Sequence, residues 1–289
     1  MVTLCLRLDD VHGRTPLTAL RALDDRVWAG RPVVLGTIPF PALGCLGPVA
    51  SPREVAAARS TATHPGLLDY LDGRRAEGLA EVALHGLTHA DHRSPAGPAV
   101  AELVAPSAGR VTRLTDCLHG WRSRFGTRTL IPPHNYIDPG LREQCLAEGF
   151  HVSRAVTDAE VSALGLDPDR PDHRAEAKRR RPYRLVGTAL DVYQTTGVSY
   201  ERVRRAGPPA EELAESVMAI AAPTGIGVIT FHWWDFVRAD ASWCEEFAQY
   251  TTRLLRRCEA LAPVEFSTVA DLADDLVAAA QRRPKDRTA

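Results

Sequence analysis

The chain has 289 residues, of which 45% are hydrophobic, and a formal net charge of -1. It can therefore bury a large core, and its near-neutral charge sets up no global field for nucleic acid or an anionic membrane. The six cysteines, Cys5, Cys45, Cys117, Cys145, Cys244 and Cys258, make no C-x-x-C pair and read as buried reduced thiols. No apolar stretch approaches the ~20 residues of a membrane span. Asp9-Asp10 interrupts the first apolar run before it could serve as an export signal, so a cytoplasmic location is expected. Only Lys178 and Lys285 are lysines, and the excess of arginine, alanine, glycine and proline is that of a GC-rich bacterial genome.

Short β-rich runs alternate with longer helical patterns along the chain. Strands are expected at 2–8, 33–37, 82–84, 129–131, 151–155, 183–194, 228–231 and 264–266. Helices are expected at 16–29, 67–77, 111–125, 141–148, 210–222 and 242–261. Strands that are apolar throughout and alternate with helices indicate a parallel sheet covered on its faces. Seven or eight such units suggest an α/β barrel of the TIM-barrel type, in distorted form, over an open doubly wound sheet. Neither a Gly-x-Gly-x-x-Gly after a strand nor a Gly-x-x-x-x-Gly-Lys occurs, which removes the main support for nucleotide binding. Two stretches break the rhythm. One is 39–65, rich in Pro, Gly and Ser; the other is 157–182, polar and carrying Lys178-Arg179-Arg180-Arg181. Both read as long loops, either of which could form a lid. The basic run reads as a solvated helix face, with a lid meeting an anionic substrate group as the alternative.

Several strand ends carry groups capable of chemistry. Asp9 and Asp10 end the first strand, where a turn would let both face one site. An Asx-turn with a helix cap is the plainer alternative. His85-Gly86-Leu87-Thr88-His89 follows Val82-Ala83-Leu84, and a tight loop there would place both imidazoles on one side. Asp91 and His92 lie close by. Ile131-Pro132-Pro133-His134-Asn135 forms a strand-end loop stiffened by two prolines. His232 ends the run Gly227-Val228-Ile229-Thr230-Phe231 and precedes Trp233 and Trp234, flat surfaces that could stack on a sugar or pack under a helix. As a set these supply carboxylate and imidazole ligands for a divalent metal, with a carboxylate and an imidazole to spare. Metal-assisted hydrolysis of an amide or ester needs such a set.

The order of Asp-Asp, His-x-x-x-His, a Pro-Pro loop and a late strand ending in histidine resembles the polysaccharide deacetylase superfamily, the carbohydrate-esterase type of metal-dependent N-deacetylase. The resemblance runs from Leu6 to about Leu276. It implies a distorted (β/α)7 barrel, a single catalytic domain over 1–280 followed by a disordered tail at 281–289, and a divalent metal. That metal is usually zinc, with cobalt, nickel or manganese as alternatives. Matched by position, Asp10, His85 and His89 correspond to the metal ligands, Asp9 to the catalytic base and His232 to the catalytic acid. Pro133, His134 and Asn135 of the Pro-Pro loop, with Trp233 and Trp234 after the last histidine, are the expected substrate-binding residues. Asp191, in Ala189-Leu190-Asp191-Val192, corresponds to the aspartate that orients the acid. Three departures mark a divergent branch. Gly86 stands where Ser or Thr is usual, His134-Asn135 replaces Tyr-Gly, and Ile131 replaces the arginine that steadies the base.

The implied activity is hydrolytic removal of an N-acyl group, in the first place acetyl, from an amino sugar or an amino-sugar-containing small molecule, with no nucleic-acid or membrane partner. The alternatives are a deformylase or amidase acting on a non-sugar C–N bond, and a catalytically impaired carbohydrate-binding protein. The oligomeric state is left open.

Overall fold

The structure is a computed structural model that describes residues 1–41, 64–93 and 99–282. Most of the 39–65 stretch, Cys45 and the tail from 283 lie outside the described residues. The first half of the chain contains β1 (Val2–Val11), α1 (Leu17–Leu23) with a π-helical extension (Asp24–Trp28), β2 (Val33–Thr37), α2 (Pro65–Ala76) and β3 (Ala80–Leu84). The short pair β4 (His92–Arg93) and β5 (Ala99–Val100), α3 (Ala108–Phe125), β6 (Thr129–Leu130), α4 (Pro139–Ala147) and β7 (His151–Arg154) follow. Next come α5 (Asp158–Ser162), α6 (Pro171–Arg180), β8 (Tyr183–Val186), β9 (Ala189–Tyr193), β10 (Thr196–Gly197) and α7 (Tyr200–Ala206). The chain closes with α8 (Ala210–Thr224), β11 (Ile226–His232), α9 (Glu245–Leu261), β12 (Val264–Ser267) and α10 (Val269–Arg282).

The main sheet runs β10-β11-β1-β2-β3-β6-β7-β9-β8. Its pairings are parallel apart from β8 with β9. The first half of β1 also pairs with β12, and the second half with β2. Side chains alternate between the two faces. Leu4, Leu6, Leu8, Leu35, Leu84, Val152 and Phe231 point out to the helices, where Leu20, Leu118, Trp121, Val217 and Leu254 join them in one buried cluster. Each such buried side chain contributes roughly 1.5–3 kcal/mol. On the other face Cys5, Val34, Ala83, Ile131, Leu190, Val192 and Val228 share a second cluster. That cluster draws on strands from both halves of the sheet, so the sheet curls around it as a partial barrel. Val269, Leu272 and Ala273 of α10 close its floor.

The predicted elements recur, the short β4–β5 pair, β10 and α7 are added to them, and three further differences stand out. The first strand continues through Asp9 and Asp10 to Val11. The expected strand at 183–194 is the β8–β9 hairpin, reversed at Gly187-Thr188, where Gly187 takes a φ of 60° that hairpin turns favour. The expected loop at 157–182 contains two helices. Thr157 and Glu160 form a reciprocal capping box at the start of α5, and Pro171 opens α6. The basic run lies in and just after α6: Lys178 donates to the Thr195 carbonyl at 2.8 Å, while Arg179 and Arg180 both pair with Glu176. Cys5, Cys117, Cys145, Cys244 and Cys258 are free thiols. No helix among the described residues is long and apolar enough to cross a membrane.

Candidate metal centre

Strand parity places Asp9 on the inner face of the sheet, with Cys5 and Arg7, and would send Asp10 outward. The chain evades this at Asp10. The register between β1 and β2 shifts between Leu8 and Val11, and Asp10 takes a left-handed φ of 63°. Such a conformation is uncommon outside glycine and needs support from its surroundings. Support comes from Trp233, whose indole N–H donates to the Asp10 carbonyl at 2.7 Å. Two consecutive carboxylates thereby reach the same side at the C-terminal end of the sheet, where barrel sites are built.

His85 follows directly on β3, and the backbone then turns sharply through Gly86 at φ 64°. A Cβ at Gly86 would lie 2.4 Å from both Glu102 Oε2 and Pro133 Cγ, so this position demands glycine. The buried Glu102 carboxylate organises the turn. It accepts the N–H groups of Leu87 (2.9 Å), Thr88 (2.9 Å) and His89 (3.1 Å), and the Thr88 hydroxyl at 2.6 Å. His89, itself at φ 57°, is thereby brought back beside His85, with their ring centroids 4.9 Å apart.

Asp10, His85 and His89 offer ligand atoms that all lie within 4.8 Å of one another. Asp10 Oδ1 is 3.1 Å from His85 Nε2 and 3.3 Å from His89 Nε2, and it is buried without a hydrogen-bond partner. His85 Nδ1 lies 3.0 Å from the Ile131 carbonyl, which only accepts, so Nδ1 carries the proton. In neutral His85 the Nε2 lone pair therefore faces a carboxylate oxygen, an arrangement that only a cation or an extra proton satisfies. The local charges reflect that demand. Burial works against ionisation of Asp10, but the close approach of His85 and the charges of His85, His89 and His232 lower its carboxyl to about 2. Burial likewise opposes a charged His85, while Asp9 and Asp10 raise its pKa above the ordinary value. Burial and the neighbouring His85 charge lower that of His89.

Asp9 and His232 flank the three ligands. Asp9 Oδ2 accepts from the Arg7 guanidinium at 2.8 Å, whereas Asp9 Oδ1 is buried and unpartnered. Gly36 makes room for that bare oxygen, since a Cβ there would come within 3.0 Å of it. His232 Nε2 is 4.0 Å from Asp10 Oδ2, and its ring stacks on Trp234 at 4.7 Å. His232 Nδ1 lies 3.5 Å from Asp235 Oδ2. Burial works against its charged form, but the Asp235 interaction and the charges of Asp10 and Asp9 raise its pKa. Asp235 is anchored in turn by the Tyr200 N–H at 2.8 Å.

The structure thus brings Asp9, Asp10, His85, His89 and His232 together, and distributes the remaining candidates differently. His134 is exposed; its Nε2 lies 3.0 Å from Asp91 and its ring 4.7 Å from that of His89. Trp234 is half-buried against His232. Pro133 and Trp233 are buried, Pro133 against Gly86 and Trp233 with its N–H on the Asp10 carbonyl. The Asn135 carboxamide oxygen accepts from Arg7. Asp191 alternates with the inward Leu190 and Val192, so it points to the outer face, where Arg154 holds both its oxygens at 2.8 and 2.9 Å. The carboxylate beside His232 is Asp235, not Asp191. Arg7 had a sequence signal: a lone charge between Leu6 and Leu8, two residues from Asp9 and hence on its face. Glu102 had none.

No family model matches the chain, and no curated relative does. Among solved structures it is similar to a 4-α-glucanotransferase from Thermococcus litoralis at 13% identity, covering 94% of this chain and 40% of that one, with a TM-score of 0.52. The chain thus spans less than half the length of that enzyme, and the likeness shows an α/β barrel-like fold. Weaker likenesses are to a family 4 carbohydrate esterase from Streptomyces lividans in complex with acetate (14% identity, 92% and 91% coverage, TM-score 0.42). An α-amylase from Geobacillus thermoleovorans complexed with acarbose is also similar (12% identity, 89% and 78% coverage, TM-score 0.45).

Proposed function

We propose that the protein is a metal-dependent hydrolase that removes an N-acyl group, in the first place acetyl, from an amino sugar or amino-sugar-containing small molecule. The observation that carries this reading is the convergence of Asp10 Oδ1 with His85 Nε2 and His89 Nε2, with the His85 proton held on the opposite nitrogen by Ile131. Two imidazoles and one carboxylate suit zinc with coordination positions left open, and cobalt, nickel or manganese are the alternatives. A cation held there supplies Lewis acidity toward an acyl carbonyl and a water molecule.

The protein groups divide the remaining work. Asp9 accepts the proton of the attacking water on its bare Oδ1, with Oδ2 held by Arg7. His232 delivers a proton to the departing amine, which leaves poorly otherwise. Its raised pKa and its contact with Asp235 suit a group that must enter the reaction protonated. The Pro132–Asn135 loop offers a donor to the developing oxyanion. Pro132 and Pro133 have no N–H, and the Asn135 N–H is bonded to the Pro132 carbonyl, which leaves the His134 N–H. The half-buried face of Trp234 beside His232 offers a sugar ring a stacking surface.

The test is an acetate-release screen of zinc-loaded protein against N-acetylated amino sugars and aminoglycoside-like compounds, with Asp9→Asn run in parallel. Acetate release that falls by about 10²–10⁴-fold in Asp9→Asn, with metal content unchanged, is the expected outcome. Formate in place of acetate would convert the reading to a deformylase. A purified protein with less than about 0.2 equivalents of divalent metal, not rescued by zinc or cobalt, would point to a carbohydrate-binding protein instead.

A further inference from the structure

Arg7 is wholly buried in the middle of an otherwise apolar strand, an expensive position for a permanent charge. Its two neighbours, Leu6 and Leu8, face the helices, so the guanidinium projects into the barrel between Cys5 and Asp9. There it is spread across three segments. Nη2 donates to Asp9 Oδ2 at 2.8 Å and to the Asn135 carboxamide oxygen, while Nη1 donates to the Ser153 hydroxyl at 3.0 Å and the Ser153 carbonyl at 3.1 Å. Asp9 is the carboxylate that neutralises it. Ile131, which like Asp9 lies against Gly36, fills the inner cluster and offers the base no donor.

We infer that Arg7 is the positioning residue of the catalytic base, supplied from the base's own strand. By holding Oδ2, the guanidinium fixes the carboxylate with Oδ1 as its bare oxygen, in the space that Gly36 leaves open. Through Asn135 it also ties the base to the loop that carries the His134 N–H, and through Ser153 to β7. The Asn135 side chain is thus part of this clamp. Asn135 has a φ of 64° and His134 one of 54°, a pair of left-handed residues that brings the carboxamide down to Arg7 and leaves the imidazole above. A planar fork with several donors is required, because an ammonium cannot serve all three acceptor residues in one geometry. The inference rests on the reading of Asp9 as a base.

Arg7→Met and Arg7→Lys, each zinc-loaded, are compared with wild type for metal content, thermal unfolding, and kcat and KM. The substrates are 4-nitrophenyl acetate and the best amide from the acetate-release screen. Arg7→Met is expected to lose about 10²-fold in kcat, the effect of a base displaced by about 1 Å. Arg7→Lys should lose about 10-fold, and in both the metal content stays full and KM moves by less than about threefold. In an Asp9→Asn background, Arg7→Met should cost less than about threefold further, since there is no base left to position. A kcat for Arg7→Met within about threefold of wild type, or losses that multiply in the double variant, would overturn the inference. Should Arg7→Met fail to fold, Ser153→Ala and Asn135→Ala remove one arm of the clamp each. About 3–10-fold lower kcat in both, absent in the Asp9→Asn background, upholds the role, and wild-type kcat in both overturns it. A wild-type protein that turns over none of the probes sinks the base and Arg7's role together, which is a different result from wild-type turnover that the variants share.

Discussion

Neighbouring residues of β7, Ser153 and Arg154, open onto two charged regions of opposite character. On the inner face Ser153 meets Arg7, and the cluster that follows leaves acceptors bare: Asp9 Oδ1 and Asp10 Oδ1 are buried without hydrogen bonds. On the outer face Arg154 meets Asp191 through two nitrogens and Glu160 through two, and Arg142 donates to Glu160 as well. The outer carboxylates are saturated by guanidinium groups, and each inner one keeps an oxygen that no donor reaches. Both regions shift pKa values, so a shifted pKa alone does not separate a working site from a structural one. What separates them is unmet demand. The outer network joins α4, α5, β7 and β9, and its rim lines a cavity of about 430 Å³ with Tyr183, Tyr193 and Arg184. The inner one calls for a cation.

The comparison breaks most visibly at Asp10. Asp10→Ala should lower metal affinity by more than the ~10–100-fold that loss of an outer hydrogen-bond partner costs, and activity with it. Metal analysis after dialysis reads the effect, and full occupancy in the variant would remove Asp10 from the ligand set. The converse experiment is Arg154→Met, which takes both hydrogen bonds from the buried Asp191 and leaves Glu160 with Arg142 and Thr157. It should destabilise the fold by about 3–5 kcal/mol in denaturant titration while leaving kcat of the remaining folded enzyme unchanged.

A finer test concerns His232, which must be protonated to act as an acid. Its raised pKa places the alkaline fall of kcat above the ordinary histidine range. Asp235→Asn removes the nearest source of that increase, so the alkaline limb should move to lower pH. Asp191→Asn should leave the limb in place. The smallest effect belongs to Glu160. Burial works against its ionisation, but Arg154 and the Thr157 cap hold its carboxyl well below the usual glutamate range. Its contribution to stability is therefore complete above that range and is lost as pH falls from it toward the depressed folded value. Circular dichroism in an acid titration should show Glu160→Gln losing less stability than wild type between about pH 5 and pH 2.

Much of the fold was legible because parallel strands covered on both faces are apolar runs, and those runs recur as the strands of the sheet. The ligand motif was legible for the same reason. Asp9, Asp10, His85, His89 and His232 are polar residues placed where an apolar run stops, which is where side chains of neighbouring strands converge. Asp191 came from the family resemblance and from no strand end. It lies within a strand, and only strand parity, with Leu190 and Val192 inward, decides that it faces outward. Residues 157–182 read as a loop because their polar composition hides short helices made by local capping.

The sequence by itself determined the alternation of strands and helices and the strand ends at which the ligands gather, because both are written in patterns a few residues long. The tertiary structure alone decided which way those ends face and what holds them. Asp10 joins Asp9 on one side through a left-handed residue whose carbonyl is held by Trp233, more than two hundred residues away. Arg7 finds Asn135 and Ser153, and the histidine loop finds Glu102, by contacts that leave no local trace in the chain. Buried polar groups must be paired somewhere, but only the folded chain shows with what.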